Sequence, residues 1–425
     1  MKTPLEDQLA AQLEKRRRIS KLRVLKPSPP GSVDFSSNDF LSLSSNDQFR
    51  HDYLQALADH NLGIGSTGSR LLDGNSTFAE QLECDIAAHH GAETALLTNS
   101  GFDANVSIFT CLPQPGDIII YDELIHASVH DGMRASRAEK RISFKHNDVD
   151  HLKQVLESVD AKTTSKNIFV AIETVYSMEG DVAPLTEICA LLDSAAPKGS
   201  VHLIVDEAHA TGIYGRGGAG LVSQLGLQSK VSVRLHTFGK ALACNGAVIL
   251  CSAVMRQYLI NYARPLIFTT FMSYPSLVAI RTAYDWMREG KTGLLAANLS
   301  ELIEYLWMRL QEISLHASNL PDPSNLVLPG SCPDSPIFAL FSTVPRELAS
   351  HCQAAGFVVR PVVPPTVPTN TERVRVCLHG GNTKEQIDAF IVCLRQWIEL
   401  KASPRHAQGT ITMSPVLQER LDAKL

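Results

Sequence analysis

Val201-His202-Leu203-Ile204-Val205-Asp206-Glu207-Ala208-His209 is a short apolar run that ends in a carboxylate. A run of this length between polar stretches reads as a buried strand. A strand closed by Asp206 places that carboxylate at the C-terminal edge of a parallel sheet, where open α/β folds bind their ligands. The same signal recurs outward at Ala95-Leu96-Leu97, Asp117-Ile118-Ile119-Ile120 and Ile168-Phe169-Val170-Ala171-Ile172, with helical stretches between. Strands alternating with helices predict a mainly parallel sheet covered on both faces, the α/β class. Residues 4–22 read as a charged amphipathic helix, ended by a Pro-rich break at Pro27–Pro30. Beyond the sheet come a long helical region (274–314), strands at 336–341, 357–359 and 373–378, and a closing helix at 384–400. The division expected is an N-terminal helix and segment (1–50), a large domain (51–275), a smaller C-terminal α+β domain (276–402) and a tail (403–425).

With 425 residues, 44% of them hydrophobic and 20% charged, the chain can bury a large core and is not of disordered composition. A formal charge of −5 argues against a nucleic-acid binder, and the basic run Lys15-Arg16-Arg17-Arg18 reads as a solvated helix face. The 9 cysteines are odd in number, scattered, and form no Cys-x-x-Cys pair, so neither a disulfide framework nor a zinc site is expected. No apolar stretch approaches the ~18 residues of a membrane span, and the N-terminus lacks the apolar core of a secretory signal. The chain ends in Ala423-Lys424-Leu425, a close variant of the Ser-Lys-Leu peroxisomal address. Peroxisomal location, through an import receptor, is therefore expected, with the cytoplasm as the alternative.

Gly63-Ile64-Gly65-Ser66-Thr67-Gly68 has the spacing of a dinucleotide fingerprint, which needs a strand before it and a helix after it. The stretch before it is helix-like and Ser69–Gly74 opens no helix, so a loop with close backbone approach is the better reading. Asp206 has three readings: a cap beside a structural His209, half of an Asp-x-x-His metal pair, or a carboxylate that keeps a pyridinium nitrogen protonated. The third gains from what lies 34 residues on, His236-Thr237-Phe238-Gly239-Lys240. A lysine in a small-residue loop, with a hydroxyl three residues earlier to hold phosphate, suits a Schiff base to pyridoxal phosphate. Asn99-Ser100-Gly101-Phe102-Asp103-Ala104-Asn105 follows a strand and opens a helix, which makes it either a phosphate site or an ordinary N-cap. His126 in His126-Ala127-Ser128 is placed either to stack on a flat ring or to serve the fold.

Asn38-Asp39-Phe40-Leu41, Gly68-Ser69-Arg70, Ser100-Gly101-Phe102, His126-Ala127-Ser128, His146-Asn147-Asp148, Asp206-Glu207-Ala208-His209-Ala210 and Thr237-Phe238-Gly239-Lys240 occur in this order. Over residues 15–400 the chain resembles the α-oxoamine synthases, fold-type I pyridoxal-phosphate transferases that condense an amino acid with an acyl thioester. Pro365-Thr366-Val367-Pro368 followed by Arg373-Val374-Arg375-Val376 is similar to the R-P-P-T-V-P and R-x-R pattern of the biotin-pathway member. Two departures stand out. Arg360-Pro361 is separated from Pro365 by three residues, which reads as an insertion, and Thr67 stands where many members have glycine.

The resemblance implies a set of roles. Lys240 would carry the cofactor, His126 stack on its ring, and Asp206 pair with its nitrogen. Ser177 and His209 would bind the phenolic oxygen, and Thr237, Gly101 and Phe102 the phosphate. Thr270 or Thr269 would complete that site from the second subunit of a homodimer. Asn38 belongs to the substrate side, Arg375 would hold the amino-acid carboxylate, and Arg23 and Thr366 would contact the acyl substrate. The reaction implied is decarboxylative condensation of L-alanine with pimeloyl-CoA, Lys240 acting as general base. The rivals are another family enzyme, such as a glycine C-acetyltransferase or a secondary-metabolism synthase, and a catalytically dead partner subunit. A membrane-bound serine palmitoyltransferase fits less well without a spanning segment.

Overall fold

The computed structural model describes residues 3–19, 21–25, 27–161, 166–195, 200–317 and 326–402. Ala423-Lys424-Leu425 lies outside the described residues. In chain order the strands are β1 (Val33–Asp34), β2 (Thr94–Thr98), β3 (Ile118–Asp122), β4 (Lys140–Phe144), β5 (Ile168–Glu173), β6 (Val201–Asp206), β7 (Val233–Thr237) and β8 (Ala247–Cys251). They continue with β9 (Leu326–Val327), β10 (Ile337–Ser342), β11 (Phe357–Val358), β12 (Arg360–Val362) and β13 (Arg373–Cys377).

The large sheet runs β2-β8-β7-β6-β5-β3-β4. Its strands are parallel except β8, which lies antiparallel between β2 and β7. Side chains alternate across it, as period-2 geometry requires. Leu96, Ile119, Phe169 and Ile204 feed one buried cluster, and their neighbours Leu97, Ile120, Val170 and Val205 feed the other. Apolar residues on both faces explain why the strands read as continuous runs, not as alternating ones. At about 25 cal/mol per Å² of buried apolar surface, each such side chain contributes roughly 1.5–3 kcal/mol before entropy is counted.

The small sheet runs β12-β13-β10-β9. β11, expected with that group, pairs with β1 near the N-terminus instead. The helical region expected over 274–314 is two helices, Tyr274–Arg288 and Lys291–Ala317, broken at Gly290 with φ +77°. The N-terminal helix Pro4–Arg18 is closed by a Thr3/Glu6 capping box and buries no residue.

The glycine-rich segment Gly63–Gly68 follows the helix Asp47–His60 and precedes turns, with no strand before it. Ser69 bridges to Thr270, and buried Arg70 donates to Glu83, which also receives Arg256 at 2.7 Å. Thr67 takes φ +61°, which explains why glycine suits that position. Among the described residues no helix is long and apolar enough to cross a membrane.

Candidate active site

Four chain segments meet at the C-terminal edge of β5, β6 and β7. β6 delivers Asp206, buried, whose Oδ1 accepts the Ala208 N–H at 2.9 Å. The turn after β7 delivers Lys240. Burial pulls its ammonium down to about 8, against Asp206 and Glu173, which hold it up. That places a basic amine near working pH. His209, three residues after Asp206, is 4% exposed and lies 5.9 Å, centroid to centroid, from Phe40. Burial and then the charges of Lys240 and Arg375 keep its pKa well below the ordinary range, so the ring is neutral.

The helix Gly101–Cys111 brings Asn105, whose amide donates to Asp206 Oδ2 at 2.8 Å and to Ser128 Oγ at 3.0 Å. Ser128 Oγ lies 2.7 Å from His126 Nδ1, which also accepts the Ser128 N–H at 3.2 Å. With Nδ1 as acceptor, the ring proton sits on Nε2. Desolvation lowers the His126 pKa, with Asp206 pulling it up and Lys240 pushing it down. An exposed imidazole is thus tied through two side chains to the buried carboxylate.

Ser100 caps the helix Gly101–Cys111 by accepting the Asp103 N–H at 3.0 Å. A Cβ on Gly101 would meet Thr237 at 3.4 Å, so the helix start and the Thr237 hydroxyl stand together. Phe102 is 46% exposed beside them. Thr269 and Thr270 are exposed, and the Thr270 carbonyl accepts the Asn99 amide at 2.7 Å within the same chain.

From the small sheet, Arg375 on β13 donates to Asn38 Oδ1 at 2.9 Å. Arg373, two residues before it, has a different task. It is 1% exposed and donates to the Met178 carbonyl at 3.0 Å and to Glu179 at 2.8 Å. That holds the turn carrying Ser177. Ser335 donates to the Gly180 carbonyl at 2.6 Å from the same side. His146 holds the turn from the other side, its two nitrogens 2.9 Å from Asp122 and 2.9 Å from Asp181.

Arg360, Pro361 and Val362 form β12 and pair in register with Arg375, Val374 and Arg373. Arg23 and Thr366 are both exposed, and no side-chain hydrogen bond or ion pair among the described residues joins either to Lys240, Asp206 or Arg375.

Residues 30–394 match the model of the family described as aminotransferase class I and II. The chain belongs to that family. Among curated relatives, 8-amino-7-oxononanoate synthase of Emericella nidulans is 50% identical over 393 residues, 90% of this chain and 94% of that one. The aminoacyl transferase sphA of Aspergillus fumigatus is 42% identical over 381 residues, 85% of this chain and 80% of that one. A solved serine palmitoyltransferase from S. paucimobilis with a bound pyridoxal phosphate–myriocin aldimine superposes with TM-score 0.80 at 22% identity, covering 94% of this chain and 99% of that one. An 8-amino-7-oxononanoate synthase from Francisella tularensis gives 0.68 at 25% identity, covering 88% of this chain and 100% of that one.

The fold is therefore the fold-type I transferase fold, and the chain is a pyridoxal-phosphate-dependent acyltransferase. The site fits that cofactor. Among the described residues, buried His209 Nδ1 has no hydrogen-bond partner and lies under the influence of the Lys240 charge, and buried Arg375 Nε, also without a partner, is left for a substrate carboxylate. Unpaired buried donors carry a cost that a bound anionic oxygen removes. Asn105, Ser128 and Arg373 were not singled out from sequence. The one available signal was Asn105 itself, a lone amide within an apolar turn of a helix.

His146 makes a pH prediction. Desolvation opposes its charge, but Asp122 and Asp181 more than offset that and raise its pKa to about 10 from 6.5. A raised folded pKa gives stability that is full below the unfolded value and lost as pH climbs through the folded one. Thermal melts of wild type should thus weaken between pH 6.5 and 10. In His146→Asn, stability should fall by a few kcal/mol at pH 6, on the order expected for the linkage, and lose most of that pH slope. An unchanged slope would mean that the two carboxylates do not hold an imidazolium.

Proposed function

We propose that this enzyme condenses L-alanine with pimeloyl-CoA, with release of carbon dioxide and coenzyme A, to give 8-amino-7-oxononanoate for biotin. The observation that carries the reading is the setting of Lys240: a desolvated amine acted on by the carboxylates of Asp206 and Glu173 and by the Arg375 guanidinium. The 50% identical relative supports the substrate pair.

Bound at this site, pyridoxal phosphate supplies an electron sink for the bond broken at Cα. Thr237, Gly101 and Phe102 would hold its phosphate at a helix start, where N–H groups and the helix dipole favour an anion. Asp206 would pair with the ring nitrogen, His126 would stack on the ring, and His209 and Ser177 would bind the phenolic oxygen. Arg375, steadied by Asn38, takes the amino-acid carboxylate, and Lys240 removes the Cα proton. Arg23 and Thr366 are left for the acyl chain, which approaches from the exposed side.

Arg375→Ala should weaken L-alanine binding roughly 10²-fold, the loss expected for a buried charge-assisted pair. Cofactor retention should be unchanged, and Arg375→Lys should restore only part, since an ammonium lacks the planar fork. The L-alanine dependence of the cofactor spectrum measures this, and an unaltered midpoint would move the carboxylate elsewhere.

The function is tested with a panel of L-alanine, glycine and L-serine against acyl-CoAs of several lengths, products identified by mass. Preference for L-alanine with pimeloyl-CoA supports the proposal. Preference for another pair would place the chain with other acyl-condensing enzymes, as the 42% identical aminoacyl transferase would suggest.

The enzyme works as a homodimer in this proposal, supported by exposed Phe102 (46%) and Phe268 (69%) beside the phosphate end. Light scattering that gives a monomer would refute it. Peroxisomal residence rests on Ala423-Lys424-Leu425, a small-for-small variant of the import signal. Peroxisomes shorten fatty acyl-CoAs, which would supply the acyl donor on the spot. An N-terminal fluorescent fusion should be punctate, and the same fusion lacking the last three residues diffuse. Two diffuse patterns would leave the enzyme in the cytoplasm.

A further inference from the structure

β5 and β6 end with two carboxyls side by side. Glu173 pairs in register with Asp206, so both side chains leave the same face of the sheet. Neighbouring strands lie about 4.8 Å apart. Glu173 is 3% exposed and Asp206 8%. What each receives differs. Asp206 has two donors, the Asn105 amide and the Ala208 N–H. The Glu173 carboxyl faces one, the backbone N–H of His126. Its own backbone N–H donates to the Tyr176 hydroxyl at 3.3 Å.

The charged groups around Glu173 are Asp206 from β6, Asp122 from β3 and Lys240 after β7. Asp122 is already matched by His146. Two adjacent carboxyls therefore share a single ammonium. Burying both as anions costs more than that cation returns, and the proton settles on the one with fewer donors. Resting on the reading that Lys240 and Asp206 hold the cofactor, we propose that Glu173 works as an uncharged carboxylic acid that fixes the backbone of His126 and leaves Asp206 as the single anion offered to the ring nitrogen.

Burial, and then the charge of Asp206, hold the Glu173 carboxyl well above the usual carboxylate range. The consequence falls on Lys240. A second anion beside it would keep the ammonium protonated, whereas an uncharged Glu173 lets it give up its proton near neutral pH. Glu173 is thus a positioning residue: it sets the charge seen by Lys240 and the place of His126, and takes no part in bond making.

The test compares Glu173→Gln with Glu173→Ala in the holoenzyme. Glutamine keeps the shape of the uncharged acid. It should retain the cofactor and leave the pH midpoint of the cofactor spectrum within about 0.3 unit of wild type, since no charge is lost. Alanine leaves the His126 N–H unpaired and should weaken cofactor retention roughly tenfold. A midpoint that falls by about a unit or more in Glu173→Gln means that a negative charge was removed, and overturns the proposal.

Infrared spectra of protein with ¹³C-labelled glutamate decide the matter without a folded Glu173 variant. Glu207 is also buried and pushed up to about 8, so Glu207→Gln removes its band. A protonated-acid band that persists at pH 7 in Glu207→Gln supports the proposal, and its absence overturns it. Neither spectrum depends on turnover. Wild type that binds no pyridoxal phosphate yet shows the band would sink the functional reading while keeping Glu173 uncharged.

Discussion

Lys240→Ala should lose turnover by about 10⁴-fold or more, the scale seen when a residue acting as both attachment point and base is removed. Lys240 lies among Asp206, Glu173, His209 and Arg375, and among the described residues no other lysine enters the electrostatics of this cluster. Two further results distinguish this from simple misfolding. The variant should still bind pyridoxal phosphate through Thr237, Gly101 and Asp206, though without the absorbance of the lysine-bound form. Its far-ultraviolet circular dichroism should match that of wild type, which shows that the fold is kept. Residual turnover within tenfold of wild type would move the base elsewhere.

Asp206→Asn should lower kcat by about 10³-fold, or ~4 kcal/mol, while the cofactor stays bound. An amide fills the same space but cannot hold the ring nitrogen protonated. The change also disturbs Asn105, whose amide donates to Asp206 Oδ2 and to Ser128 together. His126 should therefore lose part of its orientation, visible as a changed circular dichroism of the bound cofactor. Asp206→Glu tests the same point from the other direction: it keeps the charge and shifts the carboxylate, so it should recover more kcat than Asn does. Equal rates for wild type and Asp206→Asn would reduce Asp206 to a structural cap.

Strands that are apolar throughout were legible from sequence because burial on both faces leaves no polar interruption. β2, β3, β5 and β6 read in that way. β7 did not, because Arg234 and His236 interrupt it. Both are buried and find partners far along the chain, Arg234 donating to the His90 carbonyl at 3.0 Å and His236 Nδ1 lying 3.0 Å from Thr211. β4 was missed because it is the exposed, polar edge of the sheet. β8 was missed because the alternation of strand and helix stops there, the chain turning back antiparallel after Lys240.

The site divides on similar lines. Lys240, Asp206, His209 and Arg375 are residue types whose chemistry announces itself, and the structure brings them together around the Lys240 amine. Asn105, Glu173 and Arg373 act through partners distant in the chain, and of the three only Asn105, an amide in an apolar helical turn, carries a local mark. Arg23 and Thr366 remain exposed, and their tie to the acyl substrate stays with the proposal.

The most direct measurement is chemical trapping at the attachment point. The holoenzyme is reduced with borohydride, digested and mapped by mass. The expected result is a pyridoxyl group on the peptide carrying Lys240, with none trapped in Lys240→Ala. A pyridoxyl group on any other lysine, or none in wild type, would contradict the site described around Asp206 and Lys240.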